Sequence, residues 1–224
     1  PYLLGEGGAG EVWMPPGTPP GHCVKIYHER RAAEHARKVE AMIAAPPDGV
    51  LSGGVVQLAW PSSRVIAADG RFVGFTMPVV DFANSWPGDT LVSAGMRRAW
   101  NRMHPDNPVD WSMRLGLVVA INLCRVIRKL HKRGHHVIDM KPENFRVYNR
   151  RDPKATGRVA FLDCDGFDIA RASGGRLPAK LHTPLYSHAE AMRRSGDARQ
   201  AWLDENGRRQ DKWSLAVLVF MLLN

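Results

Sequence analysis

The sequence predicts an α+β protein in two parts: a small antiparallel sheet with one helix over residues 1–80, then a mostly helical portion over residues 81–224. Three observations carry this. Up to about residue 80, apolar residues come in short alternating runs bounded by glycine and proline, the pattern of strands joined by turns. Within that region only "ERRAAEHARKVEAMIAA" has the alanine content and one-sided Val39, Met42 and Ile43 of a helix. After "DFANSWPGD" the apolar residues fall at helical spacing instead, which puts the change near residues 80 to 84.

The elements follow in order. "EVWM" and "CVKIY" read as two strands joined by a Pro/Gly turn, and the helix after them stops at Pro46-Pro47. Two more strands are expected around "VVQLAWPSSRVIA" and "RFVGFTMPVV". "LVSAGMRRAWNRM" and "WSMRLGLVVAINLCRVIRKLHKRG" are expected to be helices, the second ending at Gly134. "FRVYN" and "VAFLD" are strands across the turn-rich "RRDPKATG". The final "DKWSLAVLVFMLLN" is expected to be a buried helix, and the chain stops inside it.

Composition narrows the function classes. Hydrophobic content of 44% and charged content of 24% suit a globular protein. The net charge of +9 favours anionic ligands, but the basic residues are scattered, without aromatic interleaving or a nucleic-acid module. Cys23, Cys124 and Cys164 form no CxxC pair, which suits a reducing, cytoplasmic setting better than a disulfide framework or a zinc site. The longest apolar run falls short of the ~20 residues a membrane helix needs. His131, His135 and His136 lack the spacing and partners of a zinc site.

Four short stretches carry chemistry. "GEGGAGEV" fits G-x-G-x-x-G-x-V, with Gly5, Gly7, Gly8, Gly10 and Val12 able to bring backbone N–H groups close to phosphate oxygens. Alone it specifies no more than a hairpin. Because "EVWM" continues it as a strand, it suits a flap over phosphates and not a dinucleotide-binding crossover. Lys25 lies mid-strand in "CVKIY", where a buried lysine needs an edge or an anion. In "DMKPEN", Asp139 can accept a hydroxyl proton, Lys141 can hold a transferring phosphate, and Asn144 can ligate a hard cation through oxygen. Asp163, closing the "VAFLD" strand, is the second cation ligand, with Asp165 as the alternative register.

In this order the four stretches resemble the signature set of the protein kinases, over essentially the whole chain from Tyr2 to Asn224. The resemblance implies a bilobal kinase-like fold, truncated in the central helix of the second lobe. It implies that Lys25 holds the α and β phosphates of ATP, that Asp139 is the catalytic-loop base with Lys141 beside it, and that Asn144 and Asp163 hold magnesium, or manganese in its place. Met77 would be the gatekeeper, with the backbone of Pro78 and Val80 facing adenine. "HTPLYSHAE" overlies the family's G-T-P-x-Y-x-A-P-E segment, and Asp211 in "DKWSLAV" would hold the catalytic-loop backbone. The "KPEN" lysine is similar to that of Ser/Thr kinases, and the whole is most similar to a divergent bacterial branch.

The departures are as specific. Val137-Ile138 stands where the family has His-Arg, so control through an activation-loop phosphate is not expected. "DCD" replaces D-F-G and "HAE" replaces A-P-E. The helix glutamate that would pair with Lys25 is Glu40 or Glu34, and an alignment on "APP" leaves neither, placing Arg37 or Lys38 there. The expected activity is ATP- and magnesium-dependent Ser/Thr protein phosphorylation, and the alternative is a pseudokinase that binds nucleotide or a partner without turnover. The implied partners are a protein substrate and a cognate phosphatase.

Overall fold

The computed structural model of the chain describes residues 1–18, 21–149 and 156–224. It is a mixed α+β structure with antiparallel sheets and several helices. Strands β1 (Tyr2–Gly7), β2 (Gly10–Met14) and β3 (His22–Tyr27) form a meander that leads into helix α1 (Glu29–Ala44). A short hairpin, β4 (Leu51–Ser52) with β5 (Val55–Val56), precedes β6 (Ser63–Ile66) and β7 (Phe72–Pro78). The main sheet is five-stranded in the order β1-β2-β3-β7-β6.

The pleat explains what this sheet buries. Cys23, Lys25 and Tyr27 alternate along β3 onto one face, joined in register by Met77 and Phe75 of β7. That face packs on Ala32 and Val39 of α1 in one apolar cluster. Gly10 is demanded by the sheet itself, since a Cβ there would overlap the Ile26 carbonyl of the neighbouring strand.

The second portion begins with β8 (Ser85–Pro87), α2 (Asp89–Val92) and α3 (Ala94–Met103). The expected single helix "LVSAGMRRAWNRM" is two, because Ser93 is extended and its hydroxyl caps α3 by accepting from Met96 N. Helix α4 (Met113–Lys132) starts on Ser112, which accepts from Leu115 N, and buries Leu115, Val119, Leu123, Val126, Ile127 and Leu130. Gly134, at φ +76, turns the chain out of it. Strands β9 (Phe145–Tyr148) and β10 (Val159–Phe161) join β8 in a three-stranded sheet, order β10-β9-β8. Residues 150–155 of the expected turn between β9 and β10, like Pro19-Pro20 of the earlier one, lie outside the described residues.

A two-stranded pair, β11 (Ile169–Ala170) with β12 (Arg176–Leu177), and helix α5 (Ala189–Met192) lead to α6 (Gly196–Leu223), which kinks at Asn206. The C-terminal run is buried on one face only: Leu218 and Leu222 are in the core, whereas Phe220 is 67% exposed. The expected buried helix is thus buried along one face.

The β9–β10 hairpin ties the structure together. Phe145, Val147, Val159 and Phe161 enter the cluster built on α4, while Tyr148 and Ala160 enter the cluster under the main sheet. Because Phe145 pairs with Phe161 at its open end, the residues just before β9 and just after β10 emerge side by side.

Candidate active site

Two loops meet at that open end. Leu162 N donates to Asn144 O at 2.8 Å, so the "DMKPEN" loop and the "LDCDG" loop are backbone neighbours. Pro142 opens a 3₁₀ turn, Pro142–Asn144, as its fixed φ allows at a first position. Asn144 then donates its side-chain amide to Asp139 O at 2.8 Å, closing the loop; its side-chain oxygen is an acceptor of the kind hard cations take.

The carboxylate of Asp139 is held from both sides. Thr183 Oγ1 donates to its Oδ1 at 2.6 Å, and Lys141 Nζ lies 3.2 Å from its Oδ2. Thr183 belongs to "HTPLYSHAE", which is anchored where Gln210 Nε2 and Ser214 Oγ donate to Tyr186 O. Asp139, Lys141, Asn144 and Thr183 are thus one cluster.

Beneath it is an unusual piece of backbone. Ile138, immediately before Asp139, sits at φ +64, a conformation disfavoured for a β-branched residue. Asp211, fully buried on α6, accepts from Val137 N at 2.9 Å and Ile138 N at 2.8 Å, and contacts His131 Nε2 at 2.8 Å. One buried carboxylate therefore fixes the strained turn that aims Asp139. Such strain costs about 1–3 kcal/mol, within what two charge-assisted bonds return.

Lys25, on β3, reaches the second loop. It is 5% exposed, and its Nζ donates to Asp165 Oδ1 at 2.9 Å, Asp165 Oδ2 at 3.1 Å and Asp163 Oδ1 at 3.1 Å. Burial alone would lower the ammonium's pKa, but Asp165 and Asp163 outweigh it and hold the group above the ordinary lysine range. Asp165 is 2% exposed and also accepts from Tyr27 Oη at 2.7 Å. Burial would raise its pKa, yet Lys25 and Tyr27 hold it below the ordinary carboxylate range. The Tyr27 phenol is pushed up by burial and by Asp165.

The two aspartates have different surroundings. Asp163 takes a left-handed conformation, φ +48, and its side chain is 66% exposed, open to a ligand. Asp165 is sealed in, with His35 Nδ1 of α1 at 3.9 Å. A carboxylate at Asp163 and a carboxamide at Asn144, on adjoining loops, are the oxygen donors a hard cation such as magnesium takes.

Neither candidate glutamate of α1, Glu40 or Glu34, pairs with Lys25. Glu40 lies 3.8 Å from Arg64, and Glu34 is 2.8 Å from Lys180. The helix turns His35 and Lys38 inward instead. Lys38 Nζ donates to Phe167 O at 2.8 Å and Pro178 O at 2.7 Å, pinning α1 to the segment after the "LDCDG" loop. Burial lowers this ammonium's pKa to about 8.

The glycine loop is the β1–β2 hairpin, with Gly5, Gly7 and Gly8 exposed. A Cβ at Gly5 or Gly8 would meet open space, so these two leave room for a ligand while Gly10 serves the sheet. Val12 pairs in register with Lys25. Met77 and Val80 are buried, and Pro78 pairs with His22 at the end of β7. The histidines are engaged structurally: His131 with Asp211, His136 with Asp168, and His135 against Trp60. Burial raises the Cys23 thiol to about 11 and lifts that of Cys164 well above its usual value, so neither is a thiolate at neutral pH.

Sequence reasoning kept Asp165 only as an alternative metal ligand, and the bond from Thr183 to Asp139 went unanticipated. The signal for the first was an aspartate two residues after Asp163 with no acid placed inward on the helix. Thr183 lies 44 residues from Asp139, with no pattern linking them.

Over 113 residues, 50% of its length, the chain is 26% identical to calcium-dependent protein kinase 20 of rice, Oryza sativa subsp. japonica, and equally so to calcium-dependent protein kinase 14 of Arabidopsis thaliana. The match covers 18% and 19% of those two proteins, so the chain spans about a fifth of their length. No protein-family model matches the chain. The similarity points to the protein kinase superfamily at a distance.

Proposed function

We propose that this chain is a protein kinase that transfers the γ-phosphate of ATP to a serine or threonine hydroxyl with magnesium. The observation that carries the reading is the convergence of Asp139, Lys141 and Asn144 with Asp163 and Lys25 at the open end of one β-hairpin. In this reading residues 1–80 form the nucleotide-binding lobe, with Gly5, Gly7 and Gly8 over the phosphates and Met77, Pro78 and Val80 along the adenine. Residues 81–224 form the catalytic lobe.

Asp139 orients the acceptor hydroxyl and takes its proton at Oδ1 or Oδ2, while Lys141 offsets the charge that builds on the transferring phosphoryl group. Lys25 holds the inner phosphates. Asn144 and Asp163 would hold the magnesium, which supplies positive charge against the phosphate oxygens. The acid that orients Lys25 comes from the "DCD" loop, as Asp165, and not from α1. Magnesium is proposed on the donor chemistry, and manganese takes the same donors. A cytoplasmic protein substrate, a cognate phosphatase and affiliation with a bacterial branch stay with the proposal, supported by the sequence patterns alone.

A pseudokinase reading has in its favour the missing α1 carboxylate at Lys25, with the altered D-F-G and the absent His-Arg. Calorimetric titration of ATP with and without magnesium tests the site. The kinase reading expects magnesium-dependent binding that weakens about tenfold or more in Asp163→Asn, the loss of a charged ligand. Binding indifferent to both magnesium and Asp163 would overturn the metal assignment.

A further inference from the structure

We infer that the outer face of α4 carries a second anion-binding site, suited to a compact oligophosphate. The inference is independent of the kinase reading. A cleft of about 380 Å³ has the charged lining Arg125, Arg128, Lys129, Lys132 and Arg158. No carboxylate is among the described residues that line it.

Its position is built, not accidental. Asn122, Arg125, Lys129 and Lys132 recur at spacings of three, four and three, which places them on one stripe of α4. Like charges at such spacing repel one another. Favourable interaction with the helix C-terminus accounts for Lys129 and Lys132 in the last turn, but Arg125 lies before it.

Neutral oxygens hold Lys129 and contact Arg158. Lys129 Nζ donates to Gln57 Oε1 at 2.9 Å, and Arg158 donates to Ser52 O and Oγ, both at 3.2 Å. Asn122 donates to Gly157 O at 2.9 Å, which ties α4 to the residue preceding Arg158. Gly49 and Gly53, at φ +80 and +59, leave the backbone bare where a Cβ would overlap the Lys129 ammonium and the Arg158 guanidinium. Burial, with Arg158 and Arg125, depresses the Lys129 pKa against the pull of Asp48, whose carboxylate is 3.0 Å from Arg133. An anion in the cleft would relieve that repulsion.

The size selects the ligand class. At this volume the cleft is at the small end of small-molecule sites, enough for a few linked phosphates. Guanidinium and ammonium groups together suit phosphate oxygens.

The test is calorimetric titration of tripolyphosphate, without magnesium, into the full chain and two charge-matched variants. Arg125→Gln with Lys132→Gln removes two exposed cations of the cleft; Arg30→Gln with Arg31→Gln removes two from α1. The inference expects a binding event, beside any at the Lys25 site, whose Kd rises at least about tenfold in the first variant and stays within about twofold in the second. It also expects tripolyphosphate to slow hydrogen exchange in the hairpin of residues 51–56. Equal weakening in both variants would mean a diffuse basic surface, and no change in the first would mean no site; either overturns the inference.

Discussion

Lys25 and Asp165, 140 residues apart in the chain, form a buried ion pair at 2.9 Å, with the Tyr27 hydroxyl 2.7 Å from the same carboxylate. The pair joins the main sheet to the loop after β10, so the proposed phosphate-binding lysine is positioned by the loop that also bears the proposed metal ligand.

Asp165→Asn would leave an ammonium with only the exposed Asp163 for charge. Breaking one side of a buried pair costs about 3–5 kcal/mol. Urea denaturation is expected to show a loss of that order, and Lys25→Met with Asp165→Asn to lose less than the sum of the two single changes.

The glycines divide by role. Gly10→Ala forces a Cβ against the Ile26 carbonyl, and a loss of about 2 kcal/mol or more in thermal or urea unfolding is expected. Gly5→Ala and Gly8→Ala meet open space and are expected to fold within about 0.5 kcal/mol of the parent. A drop in ATP affinity in those two variants would therefore report a ligand contact and not a folding defect.

Lys38 gives a pH signature with a definite sign. Its pKa falls from 10.5 in the unfolded chain to about 8 in the fold. Between those values the unfolded chain holds the proton and the folded one does not, so stability rises with pH. Relative to Lys38→Met, the parent is expected to gain about 2 kcal/mol in unfolding free energy from pH 8 to 10.5. A difference that is flat or falls with pH would contradict the burial of this ammonium.

Asp211 acts on the turn before the "DMKPEN" loop through the backbone N–H groups of Val137 and Ile138. Asp211→Asn keeps the shape but weakens both bonds and frees the strain at Ile138. Stability is expected to fall by about 2 kcal/mol, with faster hydrogen exchange at Val137 and Ile138. Unchanged exchange at those amides would separate Asp211 from the loop.

How much of this was legible in the sequence depended on the range of each interaction. Local signals served well: Ser112 and Gly134 bound α4, the period-two strands pair as a sheet, and the proline in "DMKPEN" sets the turn that gathers Asp139 and Asn144. The break at Ser93 was missed because a capping serine inside a helical pattern leaves the periodicity intact. The partner of Lys25 was sought on α1, because the resemblance to the protein kinases implies a helix glutamate there. Which carboxylate reaches a buried ammonium depends on how α1 rotates on the sheet, and the structure turns His35 and Lys38 inward while Glu40 faces Arg64. Periodicity sets a helix's buried face only as finely as its apolar residues define it, and here a buried lysine takes part in that face.

The most direct test of the central claim is phosphate transfer itself. The chain is incubated with ATP and magnesium, alone and with a generic protein substrate, and intact mass is compared with that of Asp139→Asn. Added phosphate in the parent, reduced by about a hundredfold or more in rate in the variant, is the predicted result. ATP binding with no transfer in the parent, or transfer undiminished in Asp139→Asn, would contradict the account.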